Sequence, residues 1–347
     1  MKAWFAPLLF FLLPFQEGFC QHPSAAAPPF LQVMFWNTEN FFDIFDDSTV
    51  NDNEFLPGAL RAWNYKKYQT KRNHIYQVIA AIGGWDPPDI IGLAEVENRF
   101  VLNDLVVNTP LAKYSYQIVH KNSPDPRGID VALLYRKDHF RLIDKHYFPI
   151  YDANGKIEHT REILYVSGLA GTDTLHIFVN HWPSRSGRNS DSETKRCRVA
   201  LTLKSKTDSL LLRNPKALIL ITGDFNDEPT DESLVRCLGA STDTTGTKSN
   251  RLYNLSALLT LSGKIRGTHK YDGKWAMLDQ VIVSGSLLQK GKHIHTDVSK
   301  LSVFAPDFLL QTDDRWMGYK PFRTYNGMQY LGGYSDHLPV FIKILLK

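Results

Sequence analysis

The chain has 347 residues, of which 43% are hydrophobic and 22% are charged, and its formal net charge is +4. This composition excludes a disordered or collagen-like chain and is typical of a soluble globular protein with a large core. The mild positive charge permits a polyanionic partner but does not argue for one.

The first twenty residues predict a secretory signal peptide rather than part of the fold. Lys2 gives a short basic start, an apolar run broken by prolines follows at 6–15, and cleavage is expected after Cys20. Cys20 also leaves lipidation open, although a bulky residue precedes it where a small one is required. Residues 21–30 form a linker, and no later segment is long enough to cross a bilayer. We expect a secreted or periplasmic protein, with a lipid anchor at the cell surface as the less favoured alternative.

The first part of the mature chain predicts two buried strands with polar residues at their ends. Residues 31–36 lead to Asn37, and residues 89–93 lead to Glu95. A carboxylate that ends a strand beside other acids is a candidate ligand for a hard cation, whereas Glu97 is expected to be solvated. Between the strands, apolar residues at helical spacing predict an amphipathic helix that ends at Gly83–Gly84. These apolar residues are Tyr68, Ile75, Ile79 and Ile82.

The middle of the chain continues this pattern. A strand at 175–179 leads to His181, which can meet a phosphate as donor and acid, or can be a structural histidine. A capping-box sequence at 190–193 then opens a basic helix that extends to about Leu212. Cys197 in this helix and Cys237 beyond it can pair in an oxidising compartment, but the sequence does not bring them together.

The strand at 217–221 is followed by Asp224 and Asn226 at alternate positions. Because side chains alternate along an extended chain, both polar groups are expected to point to one side at the end of the sheet. A later strand, 278–283, carries one acid, Asp279, in a buried-looking position. Near the C-terminus, Asp336 and His337 come just before the apolar closing strand.

Strands outnumber helices, which favours a layered α/β sandwich over a doubly wound parallel sheet. If the strand ends converge, they form a mixed site of carboxylates, amides and imidazoles that suits metal-assisted phosphoester hydrolysis. The residues of this series are Asn37, Glu95, His181, Asp224, Asn226, Asp279, Asp336 and His337.

In this order the motifs resemble the endonuclease/exonuclease/phosphatase superfamily, which includes pancreatic deoxyribonuclease, abasic-site endonucleases, neutral sphingomyelinases and inositol polyphosphate 5-phosphatases. The most specific matches are GDFND at 223–227 and SDHLPV at 335–340, supported by FWNTEN, GLAEVEN, NHWPSR and LDQVIVS. The resemblance, to a secreted bacterial type, covers 31–347 as a single domain. It implies an α/β (α+β) fold, a four-layer sandwich of two mainly antiparallel β-sheets flanked by helices.

The resemblance also implies a role for each matched residue. Glu95 is the expected principal metal ligand, with Asn37 and Asp336 beside it, and the expected ion is Mg²⁺, with Mn²⁺ or Ca²⁺ as alternatives. The expected catalytic residues are Asp224, which activates water, Asn226, which binds phosphate, His337, which Asp279 orients, and His181, which contacts phosphate. Arg185 and His269 are candidate substrate-binding residues.

These features predict a secreted, divalent-metal-dependent phosphoester hydrolase, with a nuclease-like phosphodiesterase as the leading hypothesis and nucleic acid as its candidate partner. The alternatives are a phospholipid, inositol or sugar phosphate hydrolase of the same fold, and a non-catalytic surface binding module. The basic segments are scattered rather than arranged in a stripe, so they give DNA binding little independent support. The apolar hairpin of secreted sphingomyelinases is not evident either. A monomer is expected.

Overall fold

Two β-sheets, stacked face to face, form the centre of the protein in the computed structural model. The structure describes Met1 and residues 30–84, 86–185, 189–259, 261, 263 and 265–346, with residues 189 and 190 as backbone only. Apart from Met1 and Phe30, the predicted signal peptide and linker therefore lie outside the described residues. In the part of the chain that is described, no helix has the length and apolar character needed to span a membrane.

Three α-helices and nineteen strands are found in the described residues. The helices are α1 (Tyr65–Gly83), α2 (Arg99–Val107) and α3 (Asn189–Arg213). The strands are β1 (Phe30–Phe41), β2 (Ile90–Val96), β3 (Tyr116–His120), β4 (Asp130–Arg136), β5 (Phe140–Phe148), β6 (Ile163–Ala170), β7 (Asp173–His181), β8 (Leu218–Asp224), β9 (Leu252–Asn254), β10 (His269–Tyr271), β11 (Lys274–Ala276), β12 (Asp279–Ser284), β13 (Ile294–His295), β14 (Leu301–Val303), β15 (Leu310–Thr312), β16 (Tyr319–Pro321), β17 (Tyr325–Asn326), β18 (Gln329–Tyr330) and β19 (Val340–Leu346). Short 3₁₀ turns cover Asn53–Phe55, Pro110–Tyr114, Leu255–Leu258, Gly285–Leu288, Val298–Lys300 and Asp307–Leu309, and a π-helical turn covers Ser233–Leu238.

The first sheet has the strand order β13-β19-β1-β2-β4-β3, with β14 also paired to β19, and the second has the order β5-β6-β7-β8-β12-β9. Neighbouring strands are antiparallel except in two pairs, β1 with β2 and β7 with β8. The predicted sandwich of mainly antiparallel sheets is therefore confirmed. Each sheet contributes one parallel pair, which matters for the site described below.

Alternation along the strands divides the apolar side chains among three cores. In β1, Val33 and Phe35 pack between the sheets, while Met34 and Trp36 pack against the α1 and α2 side. Because successive side chains of a strand point to opposite faces, one strand serves two cores. A third core lies between the second sheet and α3. The layers are therefore helix, sheet, sheet and helix, as predicted.

A disulfide ties α3 to the segment that follows β8. Cys197 of α3 and Cys237 of the π-helical turn are bonded, with their Cα atoms 5.5 Å apart. This separation lies in the middle of the range that a disulfide requires. The structure thus pairs the two cysteines whose connection the sequence left open.

The two sheets approach each other closely at Gly92 in β2. A Cβ atom at this position would lie 3.1 Å from the ring of Phe35 and 3.3 Å from Cγ1 of Val179 in β7. Contacts this short require the neighbouring side chains to give way, and the interiors of proteins are already close-packed. The lack of a side chain at Gly92 therefore allows Val179 of the opposite sheet to pack closely against β2.

Candidate active site

The two parallel strand pairs bring the predicted residues to one edge of the sandwich. In the first sheet, Asn37 of β1 lies opposite Ala94 of β2, just before Glu95. In the second, His181 of β7 lies opposite Asp224 of β8, and Asp279 of β12 lies opposite Asp224 from the other side. The carboxyl ends of the parallel strands thus form one crevice, the usual place for a ligand in an α/β protein.

Asp224 lies at the centre of this crevice and is 1% exposed. Its Oδ2 accepts a hydrogen bond of 3.0 Å from Nδ2 of Asn37, and its Oδ1 accepts one of 2.9 Å from the backbone N–H of Asn226. Burial raises the pKa of Asp224 to about 7, with Asp279 adding to the rise and His337 opposing it. A carboxylate with this pKa can take up a proton near neutral pH.

His337 is held next to Asp224 by Asp279. Nδ1 of His337 lies 2.7 Å from Oδ2 of Asp279, and Nε2 lies 3.7 Å from Oδ2 of Asp224. Burial on its own would lower the pKa of His337, but the carboxylates of Asp279 and Asp224 outweigh it and raise the pKa well above its ordinary value. His337 is therefore a cation at neutral pH. Its backbone carbonyl accepts a hydrogen bond of 2.9 Å from Nε1 of Trp36, which further fixes its position.

His181 faces the same space from β7, but its imidazole is uncharged. Its Nε2 lies 3.7 Å from both Oε1 of Glu95 and Oδ2 of Asp224. Burial, together with the positive charges of Arg161 and Arg127, lowers the pKa of His181 well below its ordinary value. The imidazole is therefore neutral at pH 7. Its buried Nδ1 has no hydrogen-bond partner within the described residues.

Glu95 enters the crevice because β2 is irregular at its end. The register between β2 and β4 shifts between Ala94 and Val96, and Glu95 has a φ of 59°. The backbone N–H of Asn40 donates a 3.0 Å hydrogen bond to Oε2 of Glu95, which leaves Oε1 toward His181. One carboxylate oxygen is thus anchored and the other faces the centre of the site.

The expectation that Glu97 is solvated is wrong. Glu97 is 4% exposed, and its Oε2 accepts a hydrogen bond of 2.6 Å from the backbone N–H of Asp43. The loop after β1 folds over this side chain, and burial raises the pKa of Glu97 to about 8. The sequence pattern gave no indication of this, because the contact joins residues that are more than fifty positions apart.

Asp336 and His269 lie next to His337 and form another part of the wall of the site. Oδ2 of Asp336 lies 3.0 Å from Nη2 of Arg323, and the ring centroids of His269 and His337 are 4.7 Å apart. Burial opposes the ionisation of Asp336, but the charges of His337 and Arg323 outweigh it and lower its pKa. Burial, with the positive charge of His337, lowers the pKa of His269 to about 4. His269 is therefore a neutral side chain in contact with the predicted catalytic histidine.

Asn226 is placed differently from what simple alternation predicts, and Arg185 lies beside it. Asn226 has a φ of 52°, and its Nδ2 donates a 2.9 Å hydrogen bond to the carbonyl of Trp182. Arg185 donates from Nε to the carbonyl of Asn226 at 2.8 Å and from Nη2 to Asp231 at 2.5 Å. Asn226 therefore turns aside from Asp224, and the guanidinium of Arg185 lies at the rim, bound to protein groups.

Two buried charged residues, Lys71 and Glu39, were not identified from the sequence. Lys71 of α1 is 1% exposed, and its Nζ donates to Oγ1 of Thr324 at 2.6 Å and to the carbonyl of Tyr334 at 2.7 Å. Burial lowers the pKa of Lys71 to about 8, while burial and the charge of Asp336 raise the pKa of Glu39 to about 7. Lys71 lies on the apolar face of α1. A lysine in this position is unusual, and it could have indicated a buried charged residue from the sequence alone.

The donor atoms of the site fit a hard divalent cation. Glu95, Asn37 and Asp336 offer carboxylate and amide oxygens, which are the ligands that Mg²⁺ and Ca²⁺ prefer. Within the described residues, Asp336 also groups with His269 and His337, and Asp224 groups with Asp279 and His337, with the potential ligand atoms of each group within 4.8 Å of one another. Because His337 is protonated, the oxygens of the first three residues are the better candidates.

Comparison with known proteins assigns the family of this chain. Residues 32–346 match the model of the Endonuclease/Exonuclease/phosphatase family. The chain belongs to this family. Members of the family are hydrolases that act on phosphoesters and use divalent metal ions.

Solved structures of this family share the fold at low sequence identity. Humanized D. rerio TDP2 is 15% identical, with a TM-score of 0.54 over 91% of this chain and 99% of that one. The human nocturnin catalytic domain with bound sulfate is 19% identical, with a TM-score of 0.54 over 92% and 95%. A family protein from Bacteroides thetaiotaomicron is 17% identical, with a TM-score of 0.54 over 92% and 98%. No curated protein matches the sequence at a significant level.

Proposed function

We propose that the protein is an exported, divalent-metal-dependent phosphodiesterase that cleaves nucleic acid. Membership of the family supports phosphoester hydrolysis. The observation that carries the proposal is the row formed by Asp279, His337 and Asp224, in which a protonated imidazole lies 3.7 Å from a buried carboxylate. A cation and a proton acceptor side by side suit the attack of water on a phosphodiester.

Asp224 is the proton acceptor for the attacking water in this proposal. Its pKa of about 7 lets it remove a proton near neutral pH. Nδ2 of Asn37 donates a hydrogen bond to Oδ2 of Asp224, and the backbone N–H of Asn226 donates one to Oδ1. The carboxylate therefore cannot rotate freely. A fixed orientation keeps the water in line with the phosphorus atom, and positioning of this kind supplies much of the catalysis of phosphoryl transfer.

The two histidines serve as donors to the phosphoryl oxygens. His337 donates from Nε2 as a cation, because Asp279 keeps it protonated. His181 donates from Nε2 as a neutral imidazole, because burial and nearby arginines keep the proton affinity of its ring low. Preorganised donors that face developing negative charge are commonly the largest contribution to catalysis.

Glu95, Asn37 and Asp336 are the proposed ligands of the divalent ion, for which Mg²⁺ is the first candidate and Mn²⁺ and Ca²⁺ are alternatives. When bound, such an ion offsets charge on the phosphoryl oxygens and the leaving group. Support comes from Oε1 of Glu95, which lies on the His181 side of the site at 3.7 Å from Nε2, while Oε2 is anchored by the backbone N–H of Asn40.

Nucleic acid is the proposed substrate class. The structure of D. rerio TDP2 in complex with a single-strand DNA product, which is 14% identical with a TM-score of 0.53, belongs to a protein of the same fold. Export is supported by the signal-peptide pattern of residues 1–20 and by the disulfide between Cys197 and Cys237, since disulfides persist in oxidising compartments.

A phosphate-ester panel with the purified mature protein in Mg²⁺ tests this proposal. The substrates are plasmid DNA, RNA, sphingomyelin, an inositol phosphate and an aryl phosphodiester, each with the Glu95→Ala variant in parallel. We expect cleavage of nucleic acid that chelator and Glu95→Ala both abolish. Cleavage of lipid or inositol phosphate alone would replace the substrate class, and inactivity on every ester would refute phosphodiesterase function. N-terminal sequencing of exported protein, expected to begin at Gln21, tests the leader.

A further inference from the structure

A cleft of about 920 Å³ opens beside the candidate active site, on the side of His181. Its walls come from residues 125–127, 158–161, 183–184, 191–192 and 195. The volume falls in the range of small-molecule and cofactor sites, so the cleft has room for a group as large as a nucleotide. None of the candidate catalytic or metal-binding residues lines it.

The cleft is joined to the site through the backbone carbonyl of Trp182. Nη2 of Arg161, a buried residue of the cleft wall, donates a 2.6 Å hydrogen bond to this oxygen. Nδ2 of Asn226 donates to the same oxygen at 2.9 Å. A ligand that occupies the cleft is therefore next to the phosphodiester position.

The acids in the wall of the cleft are largely neutralised by protein cations. Asp125 receives a 2.8 Å hydrogen bond from Nη1 of Arg161 and lies 3.3 Å from Nε of Arg127. Glu158 is paired with Arg198, a residue outside the cleft. The third acid in the wall is Asp191, which is exposed.

Cations of the wall remain accessible. The side chain of Arg127 is 51% exposed and Lys195 is exposed. Nε of Arg161 is buried and has no hydrogen-bond partner among the residues that the structure describes. The accessible charged groups are therefore two cations, Arg127 and Lys195, and one acid, Asp191, and this excess of positive charge suits an anion.

We propose that this cleft binds a second phosphate group of the substrate, adjacent to the phosphodiester that is cleaved. Arg127 and Lys195 are the donors to this phosphate, and Arg161 sets the shape and charge of the wall behind them. The inference rests on the proposed function for the neighbouring cleavage site. In an oligonucleotide this second phosphate is the next linkage of the strand. In a small molecule such as an inositol bisphosphate it is the second phosphate group on the ring.

Binding of a fluorescent oligothymidylate, measured in chelator across a range of salt concentrations, tests the phosphate site without turnover. We expect Arg127→Ala and Lys195→Ala each to weaken binding by about tenfold, the usual scale for one charged hydrogen bond. Each should also reduce the slope of log Kd against log salt by about 0.7, the value for one phosphate contact of a single strand. Lys216→Ala is the matched control, because Lys216 precedes β8 at the opposite edge of the sheet, roughly 20 Å from the site.

A second arm replaces the neighbouring linkage of the oligonucleotide by an uncharged methylphosphonate. The effect of Arg127→Ala on affinity should disappear on this ligand, because the partner charge is gone. An inositol bisphosphate that shows the same loss with Arg127→Ala, while the oligonucleotide does not bind, would assign the phosphate to a small molecule. Wild-type affinity and salt slope in both variants, or no binding of either ligand, would overturn the inference. If the variants weaken binding as expected but the wild-type protein cleaves no ester, the proposed function is refuted while the phosphate-binding site is supported.

Discussion

The pair of His337 and Asp279 gives the most informative single substitution, Asp279→Asn. In the native protein His337 is protonated below its raised pKa, and Asp224 is deprotonated above about 7. The active form, in which His337 is protonated and Asp224 is deprotonated, is therefore abundant in a pH window that begins near 7 and ends at the pKa of His337. Asp279→Asn removes the main charge that keeps the proton on His337, while burial, which lowers this pKa, remains.

The magnitude follows from the narrowing of that window. Without Asp279, only the charges of Asp224 and Asp336 oppose the effect of burial, so the pKa of His337 falls and the upper end of the window moves to lower pH. Asp279 also raises the pKa of Asp224, so the lower end moves down as well, but by less, because Asp279 acts on His337 through a direct hydrogen bond. Loss of one preorganised donor to the transition state costs about 2.7–4 kcal/mol, or about 10²–10³ in kcat. We expect a loss on this scale for Asp279→Asn, with KM nearly unchanged.

The assay is a pH–rate profile on an aryl phosphodiester between pH 5 and pH 10. Asp89→Asn is the matched control, because Asp89 is also a buried acid paired with a histidine, His139, but lies before β2 at the opposite edge of the sheet. Both variants lose a charged hydrogen bond and should lose about 1–3 kcal/mol of stability. A wild-type profile for Asp279→Asn, or an equal loss of kcat in Asp89→Asn, would refute the assigned role.

Three further predictions concern the metal, the disulfide and a buried acid. Mg²⁺ at 100 times its Kd should raise the free energy of unfolding by about 2.7 kcal/mol in thermal melts; an equal gain in Glu95→Ala would place the ion elsewhere. Because Cys197 and Cys237 close a loop of 40 residues, Cys197→Ser with Cys237→Ser should cost about 4 kcal/mol in urea denaturation, and reductant should have no further effect on this variant. The pKa of Glu97 is raised from 4.5 to about 8, so the folded state holds a proton that the unfolded state has released and stability falls as pH rises between these values. Glu97→Gln should remove up to about 5 kcal/mol of this fall; an unchanged pH dependence of the melting temperature would show that another group causes it.

The sequence predicted the elements whose signal is local. The apolar runs before Asn37 and Asp224 are sufficient to place strands, and the spacing of Tyr68, Ile75 and Ile79 is sufficient to place α1. The order of the motifs then indicated the family, and the family match confirmed it. Strand ends could therefore be recognised as candidate site positions before any distance was known.

The remaining features depend on contacts between distant residues. Asn226 turns aside because its backbone adopts a φ of 52°, and the carbonyl that receives its side chain belongs to Trp182, forty-four residues earlier. Glu97 is buried by a loop that follows a different strand. Arg323, which pairs with Asp336, lies in a segment without a recognisable motif. Local periodicity contains no information about such partners.

The close approach of the sheets at Gly92 has a consequence for the evolution of this protein. Asn37 and Glu95 belong to one hydrogen-bonded sheet, and His181, Asp224 and Asp279 belong to the other. No strand pairing joins the two sheets in the described residues, so the distance between these two groups of residues depends on the thickness of the hydrophobic core as well as on the hydrogen bond from Asn37 to Asp224. A misplacement of about 1 Å can cost a hundredfold in rate. Substitutions deep in the sandwich, far from any substrate, can therefore tune or abolish activity as effectively as changes to the polar residues themselves.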